Sequence, residues 1–155
     1  MDDLQFLVKP FAELSSEQLY ALLKLRSEVF VVEQDCIYLD LDDRDQQAWH
    51  VLGLQDDSLV CYARLLPPGS RFPEPSIGRV VSAASVRRFG YGRQLMQAAI
   101  TACQRQWPGQ EIRISAQQYL EAFYQSLGFL SCSAPYQEDG IDHVEMRLPG
   151  GSTTA

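Results

Sequence analysis

No stretch of this 155-residue chain comes near the ~20 consecutive apolar residues that a membrane span requires. Histidine is scarce: only His50 and His143 occur, and their separation gives no metal-ligand spacing. The four cysteines, Cys36, Cys61, Cys103 and Cys132, are scattered with no C-x-x-C, and read as reduced thiols rather than a disulfide framework. Met1-Asp2-Asp3 lacks the basic start and apolar core of a signal peptide, so a cytoplasmic location is expected. A net charge of −7 argues against a general nucleic-acid surface. Acids are absent from Pro75 to Gln110, whereas Arg79, Arg87, Arg88, Arg93 and Arg105 all lie there. Repeats and low-complexity segments are also missing. The length suits one domain over residues 1–149, followed by a flexible tail at 150–155.

What is present centres on Arg87-Arg88-Phe89-Gly90-Tyr91-Gly92-Arg93. The apolar run Ile77 to Val86 precedes it and reads as a strand. An amphipathic helix follows, with Leu95, Met96, Ala99, Ile100, Cys103 and Trp107 on one face. A two-glycine loop that opens a helix after a strand makes an anion site. The first helical N–H groups have no partner, the helix dipole favours negative charge, and glycine removes the Cβ that would keep phosphate oxygens away. A dinucleotide fingerprint would need a third glycine and an acid about 20 residues on, and a P-loop would need Gly-Lys-Ser/Thr; both are lacking.

The remaining elements form an ordered series. Leu4 to Lys9 is a strand. Ser15 and Gln18 can form a capping box for a helix carrying Leu19, Leu22, Leu23, Leu25 and Val29. Residues 31 to 47 are acidic and mostly irregular. Trp49 to Leu54 and Leu59 to Leu66 are strands joined at Gln55-Asp56-Asp57-Ser58. After the Tyr91 helix come a strand from Glu111 to Ser115, a short helix from about Tyr119, a strand from Phe129 and a last strand from Asp142 to Leu148. Strands interleaved with helices, with hairpins at both ends, imply a mixed sheet in an α/β sandwich.

The Arg87-x-x-Gly90-x-Gly92 spacing resembles the acyl-CoA pyrophosphate loop of the GNAT superfamily of N-acetyltransferases. Phe123-Tyr124-x-x-x-Gly128-Phe129, about thirty residues on, resembles the second GNAT signature. Arg26-x-x-Val29-Phe30-Val31-x-Glu33-Gln34 is similar to the ElaA-like branch. Two residues depart from the usual pattern: Arg88 stands where many GNATs carry Gly, and Ala84 where many carry Pro. The resemblance covers roughly residues 4 to 148. It implies a GNAT-like three-layer sandwich, with a mixed, mostly antiparallel central sheet splayed at the acyl-CoA site. It also implies acetyl transfer from acetyl-CoA to a primary amine, a small molecule or a peptide amine, by direct attack in a ternary complex without a metal. A non-catalytic acyl-CoA-binding module is the alternative, and a homodimer is compatible with either.

The resemblance assigns acyl-CoA binding to Val80, Val81 and Ser82 by strand-like pairing with the pantetheine arm. It adds Arg87, Arg88, Phe89, Gly90, Tyr91, Gly92 and Arg93 at the pyrophosphate, and Gln117 near the pantetheine. Tyr124 becomes the candidate acid for the thiolate. Candidate bases are Glu33 and His50, with Asp35, a water chain and, last, His143 behind them; Cys36 is the only plausible reactive thiol. Nine of the 20 acids fall between Glu28 and Asp57, so an acid-lined mouth for a cationic amine is expected opposite the arginine-rich donor half.

Overall fold

The computed structural model describes residues 4–150. Eight strands and three α-helices alternate: β1 (Leu4–Pro10), α1 (Ser16–Arg26), β2 (Trp49–Gln55), β3 (Ser58–Leu66), β4 (Ser76–Ser82), α2 (Tyr91–Gln106), β5 (Ile112–Gln117), α3 (Glu121–Gln125), β6 (Leu130–Ser131), β7 (Tyr136–Glu138) and β8 (Ile141–Leu148). They form one sheet in the order β1-β2-β3-β4-β5-β8, with β6 and β7 both paired to β8. Every pairing is antiparallel except β4–β5. The flexible tail expected at 150–155 lies outside the described residues beyond Gly150, which itself packs closely on Gly109 and Gln110.

Strand alternation assigns the two layers. Cys61, Ala63 and Leu65 of β3 pack with Leu95, Met96, Ala99 and Cys103 of α2, whereas Tyr62 joins Leu22, Leu25 and Val29 on the α1 side. Ser15 and Gln18 close the capping box at the start of α1. The last turns of α1 run on as a π-helix, Ser27–Glu33. Asp56 and Asp57 take positive φ angles at the β2–β3 turn, which suits a tight hairpin.

Two expectations are corrected. The strand expected to reach Val86 ends at Ser82, because a 3₁₀ turn spans Ala84–Phe89 and the Val86 N–H donates to Ala83. The short β7, which precedes a tight turn through Asp139 and Gly140, has no counterpart in the sequence reading.

The acidic stretch behaves differently from a solvated face. Arg26 is fully buried; its Nε donates to Asp40 at 2.8 Å and its Nη1 to Asp45 at 2.8 Å. Arg64, also buried, grips Asp42 with two bonds of 2.8 Å and reaches Asp45 at 3.1 Å. Arg79 adds a 2.8 Å bond to Asp40. Three cations therefore meet three anions inside the molecule. Burial alone would raise the Asp42 and Asp45 carboxyls, but the arginine hydrogen bonds outweigh it and hold both below the usual carboxylate range. Apolar neighbours point outward instead: Ile37 is 98% and Leu39 79% exposed. The expected acid-lined mouth is thus corrected in part, since Asp40, Asp42 and Asp45 neutralise internal arginines.

Replacing Arg26 leaves Asp40 and Asp45 buried without it. Arg26→Leu should cost about 3–5 kcal/mol in denaturant unfolding, the usual result of breaking a buried pair from one side. The pH dependence of wild-type unfolding checks the same cluster. His50 is held neutral by burial, and Asp42 and Asp45 are held ionised. Each depressed group stabilises the fold above its unfolded pKa and loses that contribution as pH falls. Stability should therefore begin to fall below pH ~6.5, then drop further below ~4 as the unfolded carboxylates protonate.

Candidate active site

The parallel pair β4–β5 is barely a pair. Ser76 faces Arg113, the Arg113 N–H donates to Pro75 at 2.9 Å, and no further register position joins the two strands. From there they splay. On the β3 side, β4 carries a bulge: Tyr62 faces Val81 and Arg64 faces Gly78, so β4 has one residue more between the two pairs. Arg79 sits in the bulge at φ 50°, an uncommon region for a side-chain-bearing residue. Its bonds to the Asp40 carboxylate and carbonyl, both 2.8 Å, hold it there. A bulge bends its strand and increases the twist.

The splay opens a cleft of about 290 Å³. Val80, Val81 and Ser82 form one wall and Ile114 to Gln117 the other, with Tyr124 and Met96 lining it from the helical layer and Glu33 from the end of the π-helix. Among the described residues, the β4 edge facing the cleft has no strand partner beyond Ser76. An extended polar ligand could pair there as an added strand.

Tyr124 comes from α3, which stands its ring edge-on to Phe123 and Phe129. The residue is 6% exposed, and its hydroxyl has no hydrogen-bond partner among the described residues. Burial pushes its pKa up to about 12, with Tyr119 adding to the effect, so the phenol holds its proton at neutral pH.

The glycine loop follows Arg87 and lies just outside the cleft wall, from Arg88 to Arg93. Gly90 has φ 75° and serves as N-cap of α2 without any side-chain cap. The first N–H groups of a sixteen-residue helix are therefore open to an anion. Gly92 is not demanded by packing, since a Cβ there would meet no atom within 4 Å. The arginines are less free than expected. Both terminal nitrogens of Arg87 donate to Glu33, and its Nε donates to the Ser82 carbonyl at 3.3 Å. Arg93 donates to Ser126 at 2.7 Å, joining the two motifs. Arg88 only stacks on Phe89, and Tyr91 accepts a bond from Gln55 at 2.8 Å. Backbone N–H groups, with Arg88 beside them, are the elements left for phosphate.

The candidate bases separate sharply. His50 is fully buried on β2 and is not part of the cleft. Its Nε2 donates to the Asp45 carbonyl at 3.0 Å, which leaves Nδ1 to accept the Tyr62 hydroxyl at 2.6 Å. Burial lowers its pKa. Both nitrogens are occupied, so His50 is a structural member of the buried charge cluster and the expectation that it is a base is corrected. Glu33 does reach the cleft, but the Arg87 hydrogen bonds lower its pKa and engage both of its oxygens. Sequence reasoning overlooked Arg71, Ser115 and Glu138, which line the far end beside His143. No motif marks them. Cys36 also lines the cleft, where its thiol meets the Asp139 carbonyl at 3.2 Å.

A family model for the acetyltransferase (GNAT) domain matches residues 12–149. Protein ElaA of Escherichia coli is 44% identical over 137 residues, covering 87% of this chain and 90% of that one. A UPF0039 protein of Synechocystis is 45% identical over 142 residues, or 90% and 92% of the two chains. The crystal structure of an acyl-CoA N-acyltransferase from Pseudomonas aeruginosa superposes with a TM-score of 0.89 at 41% identity, over 94% of this chain and 99% of that one. With the splayed sheet, the open α2 N-terminus and matches along nearly its whole length, the chain belongs to the GNAT family of acyltransferases, in the group that holds ElaA and the UPF0039 proteins.

Proposed function

We propose that this protein transfers an acetyl group from acetyl-CoA to a primary amine by direct attack within a ternary complex. The observation that carries the reading is the splay of β4 from β5, which exposes a strand edge and the unpartnered Tyr124 hydroxyl to the same cleft. Val80, Val81 and Ser82 would pair with the pantetheine arm, with Gln117 facing them from β5. The N–H groups from Gly90 onward would hold the pyrophosphate at the start of α2. Arg88, the one loop arginine with no ion pair or hydrogen bond among the described residues, adds charge there.

The chemistry asks for proximity, deprotonation and a proton for the leaving group. Holding thioester and amine together can contribute about 7–11 kcal/mol. A free thiol titrates near ~8.5, so thiolate departure gains from a neighbouring acid. Tyr124, neutral well above physiological pH, supplies that proton. Glu33 acts indirectly: it fixes the Arg87 guanidinium across the cleft entrance, which links the π-helix to the glycine loop.

Thiol release from acetyl-CoA across a panel of amines tests the reading; tight CoA binding with no release on any amine would favour a non-catalytic binder. Gly92→Asp would set a side chain and a negative charge against the pyrophosphate. Its CoA affinity by calorimetry should fall at least tenfold in a folded protein, and an unchanged affinity removes the loop from the site. Tyr124→Phe deletes only the hydroxyl. It should lower kcat by ~10²-fold or more with CoA affinity nearly intact, as expected for loss of a general acid; a wild-type rate leaves Tyr124 with core packing alone.

A further inference from the structure

The far end of the cleft has a polar wall that neither GNAT motif covers. In the β5–β8 register Gln117 faces His143 and Ser115 faces Glu145, so Ser115, Gln117 and His143 share one face of the sheet. The opposite face, with Ile114, Ala116, Val144 and Met146, is core. Glu138 joins this wall from β7, and Ser115, Glu138 and His143 all line the cleft that holds Tyr124.

The imidazole is held in one tautomer. His143 Nδ1 lies 2.8 Å from the Ile141 carbonyl, which can only accept, so Nδ1 carries the hydrogen. A neutral ring then keeps its lone pair on Nε2. That nitrogen has no hydrogen-bond partner among the described residues; Glu138 Oε2 lies 3.9 Å from it. The other Glu138 oxygen is fixed by Arg71 and by Ser115 at 3.2 Å. Tyr136 stacks on the imidazole at 6.2 Å and hydrogen-bonds Ser115. Around the ring, then, stand Ser115 and Gln117 of β5, Tyr136 and Glu138 of β7, and Arg71 behind Glu138; the adjacent Asp142 is turned to Gln137. The contrast with the other candidates is direct: His50 has both nitrogens occupied, and both Glu33 oxygens are paired with Arg87, whose hydrogen bonds lower the carboxyl's pKa.

We infer that His143 is the general base for the acceptor amine, acting through Nε2, and that Glu138 is its positioning residue; this rests on the acyl-transfer reading above. Nε2 takes one proton from the acceptor's ammonium, and Glu138 offsets the imidazolium charge. The freed nitrogen lone pair forms the C–N bond at the thioester carbonyl, and the C–S bond breaks. The thiolate takes the Tyr124 proton, and the second amine proton returns to the phenolate through solvent. The net products are amide, free CoA thiol and one proton, left on His143 for release to solvent. The amine therefore enters from the β7–β8 side, opposite the glycine loop.

The test uses an amine that the wild type acetylates. His143→Asn keeps an amide N–H able to serve the Ile141 carbonyl but has no basic nitrogen. His143→Ala leaves space for imidazole from the buffer. Both should lose ~10²–10³-fold in kcat, within the usual range for general-base catalysis. Calorimetric CoA affinity should be unchanged, and the wild-type pH limb should give way to a rate that climbs with hydroxide. Added imidazole should restore the Ala variant. Glu138→Gln should lower kcat without changing KM for acetyl-CoA. A folded His143→Asn protein with the wild-type rate and pH profile overturns the assignment. If that variant does not fold, failure of imidazole to restore His143→Ala overturns it equally. A wild type that releases no thiol with any amine overturns acyl transfer itself, a result distinct from either.

Discussion

A guanidinium shielded from solvent must find its partners inside the protein, and Arg26 organises much of this molecule around that need. It sits at the junction of α1 with the π-helix and draws Asp40 and Asp45 inward, which pins the irregular segment between them against the sheet. The same carboxylates serve Arg64 on β3 and Arg79 on β4. Tyr62 lies under Arg26, with the guanidinium carbon 5.9 Å from the ring centroid, and its hydroxyl satisfies His50. Each member is tolerable in the interior only because the others are present. One network thus joins α1, the acidic loop, β2, β3 and β4.

That network reaches the chemistry through Arg79. The bond to Asp40 steadies a positive φ in the β4 bulge, and the bulge bends β4 where it leaves β5. The cleft exists because a parallel pair fails after a single register position. Structural charge and the geometry of the cleft are therefore coupled: three arginines that could have served an anionic ligand or a solvated face instead hold its frame.

Opposite walls of the cleft have distinct electrostatic characters. At the end nearest the glycine loop, the N-terminus of α2 and Arg88 supply positive potential, while Glu33 ties down Arg87. At the far end, Glu138 and Arg71 balance each other beside His143. Tyr124 stands in the helical layer, desolvated and protonated, and lines the same space. In the proposed reaction, the groups that would gain and lose protons thus stand in different surroundings of one cleft.

Local physics made much of this legible in the chain. The capping box of α1, the β2–β3 hairpin, the amphipathic α2 and the glycine loop at its start depend on residues within a few positions of one another, and each stands where its pattern indicates. The Arg87-x-x-Gly90-x-Gly92 and Phe123-Tyr124 motifs are likewise short, and they sufficed to indicate the fold family. The acidic loop defeated the pattern because its alternation is inverted. Tyr38, Asp40 and Asp42 turn inward and Ile37, Leu39 and Leu41 outward, an arrangement stable only when arginines 14 to 39 residues away are already in place. For the same reason His50, set among acids in sequence, proved to be core, while His143, on the last strand, faces the cleft. The sequence by itself determined most of the elements and the glycine loop that opens α2, because those follow from backbone geometry and nearest-neighbour contacts. Only the tertiary structure decided which charges are internal, where β4 parts from β5 and which imidazole keeps a free nitrogen, because burial and hydrogen-bond partners are set by residues distant in the chain.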